Sequence, residues 1–388
     1  MSLNPVSSIV LQTAVVVTTL GFTPAQSSLR PGALVLVALC TAHCISTALE
    51  YFVRTPWASL AGGYSVMLLL HYVDIGLLTR WEFPVSKKSD TPGASPRETP
   101  TTSWAARLGF GIWAASNARC IGTPEQVRHV PEAATLDRVA FLRRSAGFIL
   151  LSYLSLDVLG SMGDPEVSSS FLVPSRVPFF RRLPGITAEE IVVRIFSGLA
   201  AGIGLLSSQG GFYHLFAFTS IFMKWSKPED WPPFYGSLAD AYSLRSLWSR
   251  VWHQSNSHKF RAISRFFARD VFGLQPGTLA ERYAKVLIVF ATSAFMHFLI
   301  DLSSGVSAAS SGAVQFFCTQ ALGLMTEDFV ISAYLLYAAE RMIGFLWVGG
   351  FLVWSFPAYL YPMLYRSNLG LNDSVVPVSV VGLVRRLF

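Results

Sequence analysis

Residues 283–302 read YAKVLIVFATSAFMHFLIDL, with Lys285 near one end, Asp301 near the other, and His297 the one imidazole between them. Roughly 20 apolar residues are needed to cross the hydrocarbon core of a bilayer as a helix. A run of this length and apolarity is therefore expected to span a membrane. Comparable runs occupy residues 6–22, 32–49, 57–78, 141–162, 191–206, 212–223, 313–337 and 343–364. The first has no basic segment ahead of it and no clear small-residue cleavage site, so it is expected to be retained as a span. The paired Gly210 and Gly211 are expected to break the pattern between the fifth and sixth runs. The fold class is thus an all-α polytopic membrane protein of about nine transmembrane helices.

Composition points the same way. Of the 388 residues 52% are hydrophobic and only 14% charged, whereas a soluble domain carries about a quarter charged residues. A soluble globular protein and a disordered chain are both excluded. The formal charge of +7 on so apolar a chain suits anionic headgroups or phosphorylated substrates better than nucleic acid. Cys40, Cys44, Cys120 and Cys318 show neither metal-ligand spacing nor a disulfide framework. No metal is expected.

The whole chain, 1–388, is expected to form one integral membrane domain with two sizeable polar regions. Residues 80–138 form a polar loop region whose Pro-, Ser- and Thr-rich first part contains Lys87, Lys88 and Arg97. Residues 224–280 form the other long stretch between spans. Both are basic, so the positive-inside rule puts both in the cytosol. Three expected spans between them cannot return the chain to the side it left. Either one of the three is re-entrant or one loop lies on the other side.

The second polar region holds the most distinctive sequence. Trp231-Pro-Pro-Phe-Tyr-Gly236 cannot be helical, because consecutive prolines remove donors and restrict the preceding residue. Ser243 is a suitable N-cap, and the pattern turns helical from Leu244. Trp248 and Trp252 then fall one turn apart, followed by His253 and Gln254. An interfacial aromatic belt accounts for Trp225 and Trp231 as well as a functional site does. It accounts less well for a Trp pair adjoining His-Gln. Next, Phe260, Ile263, Phe267 and Val271 make an apolar stripe, while Arg261, Arg265 and Arg269 make a basic one at steps of four. Such a helix would lie in the interface with its arginines on lipid headgroups, or on the phosphates of a nucleotide-bearing cosubstrate.

An ionisable residue within a span points to function. Ser293, His297 and Asp301 recur at steps of four and share one helix face. Imidazole has the pKa of a general base, and a carboxylate one turn away could orient it. A hydrogen bond to a neighbouring helix is the equally weighted alternative. Asp74, His71, Asp157, Glu327 and Asp328 are weaker candidates, and His43, His129, His214 and His258 have no supporting constellation.

Trp231-Pro-Pro-Phe-Tyr-Gly236, Ser243-Leu-Arg-Ser-Leu-Trp248, Trp252-His253-Gln254 and the downstream His297 together resemble the wax synthase-like branch of the membrane-bound O-acyltransferases. Leu247 and Ser249 depart from the Phe and Gly more usual there, without removing a polar group. The resemblance implies a helix bundle enclosing a substrate tunnel and acyl transfer from acyl-CoA to a hydroxyl. It implies His297 as general base and His253 as second polar residue of the site, with Trp248, Trp252, Gln254, Ser293 and Asp301 in support. It implies acetyl-CoA as cosubstrate with no bound cofactor. Fungal-type members of the branch acetylate terpenoid-like secondary metabolites, whereas plant-like members make wax esters, the alternative here. Expected partners are acyl-CoA, a lipophilic alcohol and membrane lipid, in the endoplasmic reticulum. From other classes, a transporter would use Asp157, Glu327 and His297 as a proton relay, and an isomerase or cyclase would use Glu327 and Asp328.

Overall fold

Residues 4–84, 103–333 and 340–387 are described by a computed structural model, in which they are helical with a single isolated β-bridge, Arg54 to Asn372. The helices are α1 Pro5–Phe22, α2 Leu29–Phe52, α3 Thr55–Tyr72, α4 Trp104–Ser116, α5 Arg138–Ser161, α6 Pro165–Phe171 and α7 Ala188–Phe222. They continue as α8 Leu244–Ser246, α9 Ser257–Arg265, α10 Leu279–Ser303, α11 Ala313–Ala333, α12 Glu340–Ser355, α13 Pro357–Asn368 and α14 Val380–Arg385. Polar side chains cap several of the long helices, satisfying first-turn N–H groups that have no partner within the helix. Asn4 and Ser7 form a capping box on α1, while Asp137, Thr187 and Thr278 cap α5, α7 and α10.

Six helices among the described residues are long and apolar enough to cross a membrane, and the bent pair Arg341–Ser355 with Pro357–Arg366 makes a seventh. The count falls below nine because α11 is not among these helices and because two expected runs merge. Residues 191–206 and 212–223 are one 35-residue helix, α7, running straight through Gly210 and Gly211. A glycine costs a helix only about 1 kcal/mol, far less than freeing backbone groups where no water can take them. Ser152 of α5 packs against Gly211 instead. The last expected positions of the 313–337 span, like Lys87, Lys88 and Arg97, lie outside the described residues.

This merger also removes the topological conflict. Only α5 and α7 separate the two basic regions, and two spans return the chain to its starting side. The loops in fact touch. Arg119 donates to the Pro232 and Pro233 carbonyls at 2.9 and 2.7 Å, and Gln254 donates to the His129 carbonyl at 2.8 Å.

Helix α10 packs against α2, α3, α9 and α11, which makes its His297 face interior. Phe260 and Ile263 of α9 join Val66 and Leu70 of α3 and Met296 of α10 in one apolar cluster. The expected interfacial helix over 259–271 is not continuous, because α9 passes into a π-helix at Phe266–Val271. The wider π-turn breaks i+4 register, so Phe260 and Ile263 are buried while Phe267 and Val271 are exposed.

Candidate active site

The Trp231–Gly236 turn is held by residues that sequence reasoning did not select. Prolines donate no backbone hydrogen bond, so the Pro232 and Pro233 carbonyls need outside donors. Arg119, from the loop after α4, serves both, and Tyr213 of α7 donates to the Pro232 carbonyl at 2.5 Å. Arg119 also donates to the Tyr213 hydroxyl at 2.9 Å, and burial lowers the pKa of its guanidinium. Tyr235 donates to Gln209 at 2.7 Å. Held this way, Phe234 stacks between Tyr213, at 4.9 Å, and the His253 ring, at 5.4 Å.

The turn closes on Gly236, whose N–H donates to the Val251 carbonyl at 2.9 Å. A Cβ here would collide with the Arg250 carbonyl. Gly236→Ala is therefore expected to cost about 1–3 kcal/mol, seen as a lowered Tm of the detergent-solubilised protein together with reduced activity. An unchanged Tm would mean that this backbone approach is not maintained in solution.

Ser243 caps α8 as expected, its Oγ accepting from the Ser246 N–H at 3.0 Å. The helix then widens into a π-turn at Leu247–Val251, and Trp252 leaves it in extended conformation. The two tryptophans are therefore not on one helical face, yet their rings still meet edge-on at 6.1 Å. Trp248 packs against Phe290, Phe316 and Phe317, and its Nε1 donates to Gln320 at 3.3 Å. Gln320 in turn donates to Ser355 at 3.0 Å. Ser355 lines a cavity of about 340 Å³ with Phe180, Gln315 and Trp354; neither His253 nor His297 borders it.

His297 stacks on Phe317 at 4.3 Å and meets the Tyr359 ring edge-on at 5.6 Å. Its Nδ1 lies 2.8 Å from the Ser293 carbonyl. A carbonyl can only accept, so Nδ1 carries a proton, and in the neutral ring Nε2 keeps the lone pair. A neutral imidazole fixed in that tautomer is a base. The bond that fixes it is made by the Ser293 backbone, not by Asp301. Asp301 accepts from Ser311 at 2.6 Å and from Tyr359, with Arg366 nearby. Its influence on the ring passes through Tyr359.

His253 lies among Phe234, Trp252 and Tyr235 with its Nδ1 buried and unpartnered. Burial first, then the neighbouring His297, Lys259 and Arg119, push its imidazole down to about 3. It is neutral at physiological pH. His253 and His297 come from separate elements and are linked through the rings of Trp252, Trp248 and Phe317. Both are partly buried. Gln254 faces away, its Nε2 spent on the His129 and Ser249 carbonyls.

The arginine stripe divides. Arg269 pairs with Glu281 at 2.6 Å. Arg261 is half-buried, with its pKa lowered by burial and by neighbouring Arg128 and Arg265. His258, which had no supporting constellation in the sequence, sits 2.5 Å from Asp74. The carboxylates of the rival readings hold backbone or arginine. Asp157 accepts from Val380 and Val381 N–H groups, Glu327 from Leu244 N–H, and Asp328 from Arg245 and Arg282. Among the described residues no group of three or more His, Cys, Asp or Glu is placed to hold a metal.

Two imidazoles, His253 and His297, are thus held among aromatic rings within the helical bundle. The family model described as "Membrane bound O-acyl transferase family" matches residues 231–319, from the Trp-Pro-Pro turn through His297. The acetyltransferase aurG of Calcarisporium arbuscula is 30% identical over 363 residues, covering 88% of each chain. The acetyltransferase fsoF of Humicola fuscoatra is 28% identical, covering 79% of this chain and 83% of its own. The acetyltransferase pyr8 of Aspergillus fumigatus is 31% identical, covering 73% and 70%. No solved structure matches. The chain belongs to the membrane bound O-acyl transferase family. It is a membrane acyltransferase, taking an acyl group from a donor to an acceptor.

Proposed function

We propose that this protein moves an acetyl group from acetyl-CoA to a hydroxyl of a lipophilic, terpenoid-like alcohol in the endoplasmic reticulum membrane, with His297 as general base and His253 as its partner. The observation that carries the site assignment is the His297 tautomer, which frees Nε2 beside a second enclosed imidazole. The acetyl donor is supported by the relatives above, each named an acetyltransferase. In this reading Nε2 takes the acceptor hydroxyl proton as the oxygen attacks the thioester carbonyl. A C–O bond forms, and the carbonyl oxygen becomes an oxyanion that a neutral His253 N–H can stabilise. Collapse breaks the C–S bond, and the proton on His297 passes to the departing thiolate. Acetyl-CoA itself supplies the acyl group and the leaving sulfur. Incubating membranes that contain the protein with labelled acetyl-CoA and a panel of lipophilic alcohols tests this. Labelled ester is expected, and no ester from any alcohol would overturn the acetyl assignment; ester from long-chain acyl-CoA alone would select wax synthesis.

Donor binding has its own test. Arg261, Arg265 and Arg128 carry charge on one patch, and among them CoA phosphates would find charge-assisted partners. Each such bond is worth about 1.5–3 kcal/mol, so Arg128→Gln with Arg261→Gln should raise the apparent KM for acetyl-CoA about 10-fold or more. The KM for the alcohol should hold. Arg269→Gln, which instead breaks the ion pair with Glu281, should lower Tm and leave both KM values.

A further inference from the structure

One buried cation has no place in the acyl-transfer steps above. Lys259 of α9 is fully buried, and an unsatisfied ammonium there would be expensive. Its Nζ donates to the Ser255 carbonyl at 2.8 Å and to the Asn256 side chain at 3.0 Å. Both acceptors belong to the short connection between the π-turn ending at Val251 and the start of α9 at Ser257. That connection carries His253. Its far end is tied down as well, because His258 is bound to Asp74 at the π-helical end of α3.

The ammonium is not directly ion-paired. Asp74 and His71 face it from α3 and its π-helical extension, Cys120 from the loop after α4, and His253 from the connection itself. Its positive charge therefore reaches the imidazole against which the oxyanion is to develop. Two functions converge on one side chain: it holds the backbone of the His253 connection, and it contributes positive potential where negative charge forms. We propose that Lys259 is a positioning residue for acyl transfer, holding His253 toward the transferring group and adding its charge to the stabilisation of the oxyanion. The proposal rests on the assignment of His253 to that site.

Burial lowers the Lys259 ammonium to about 8. Below that pH the charge is present, and above it the amine still donates hydrogen bonds but the charge is gone. A kcat profile with an alkaline fall near pH 8 is expected for the natural protein. Lys259→Arg keeps a cation that does not titrate in this range, so the fall should disappear while kcat near pH 7 is largely retained. Lys259→Met should lower kcat about 100-fold, the scale of a misplacement near 1 Å, with acetyl-CoA KM little changed. If Lys259→Met does not fold, the Lys259→Arg profile decides. An alkaline fall that persists unchanged in Lys259→Arg, or a folded Lys259→Met with normal kcat, overturns the proposal. His253→Ala measured alongside separates the two levels. If it is inactive while Lys259→Met is normal, only the Lys259 role fails; if it has normal kcat, the site assignment itself fails and takes the Lys259 role with it.

Discussion

His297→Ala is expected to lower kcat by about 100- to 10,000-fold, the usual contribution of a general base, while expression and membrane insertion are retained. Removing a polar group from a span eases insertion if anything, and α10 keeps its apolar contacts through Met296 and Phe290. The loss should appear in kcat and kcat/KM together, because the proton moves only in the transition state. Asp301→Asn should cost much less. The Ser293 carbonyl, not Asp301, holds Nδ1–H, and an amide can still accept from Ser311 and Tyr359. A near-normal turnover in His297→Ala, measured on correctly inserted protein, would remove this residue from the chemistry and reopen the assignment of the base.

His253→Ala should lower kcat by about 100- to 1,000-fold, the cost of losing one donor to an oxyanion, with little change in acceptor KM. The magnitude rests on dryness: Phe234, Trp252 and Tyr235 enclose the ring, and a hydrogen bond in a water-poor site is worth more than one in solvent. The double variant with His297→Ala should be far from additive, since both residues would act on one transition state. Stability carries a second signature. The His253 imidazole is pushed from 6.5 to about 3, chiefly by burial, so below pH 6.5 the unfolded chain binds a proton that the folded chain refuses. Stability should fall with decreasing pH from that point, and less steeply in His253→Ala. Normal kcat with weakened acetyl-CoA binding would move His253 into the donor pocket.

The chain's membrane class was legible because it depends on local composition, and so were the polar points on which the proposed site rests. An imidazole inside residues 283–302 and a Pro-Pro turn beside Trp-His-Gln are visible without any contact being known. Helix continuity was less legible. Gly210 and Gly211 look like a break by propensity, but in an apolar environment the backbone has no alternative partner, so α7 continues. The stripes over 259–271 followed a 3.6-residue period that the π-turn abandons.

Sequence alone determined that this is an all-helical membrane protein and marked Trp231 to Asp301 as the stretch from which a site is proposed, because membrane class follows from transfer energetics acting residue by residue while the proposed roles follow from a family resemblance. Only tertiary structure decided that the Ser293 backbone fixes the imidazole, that Arg119 and Tyr213 clamp the Trp-Pro-Pro turn, that Arg269 belongs to Glu281, and that Asp74 meets His258. Those pairings join residues far apart in the chain, and a buried donor or charge takes whichever partner the packed helices bring within reach.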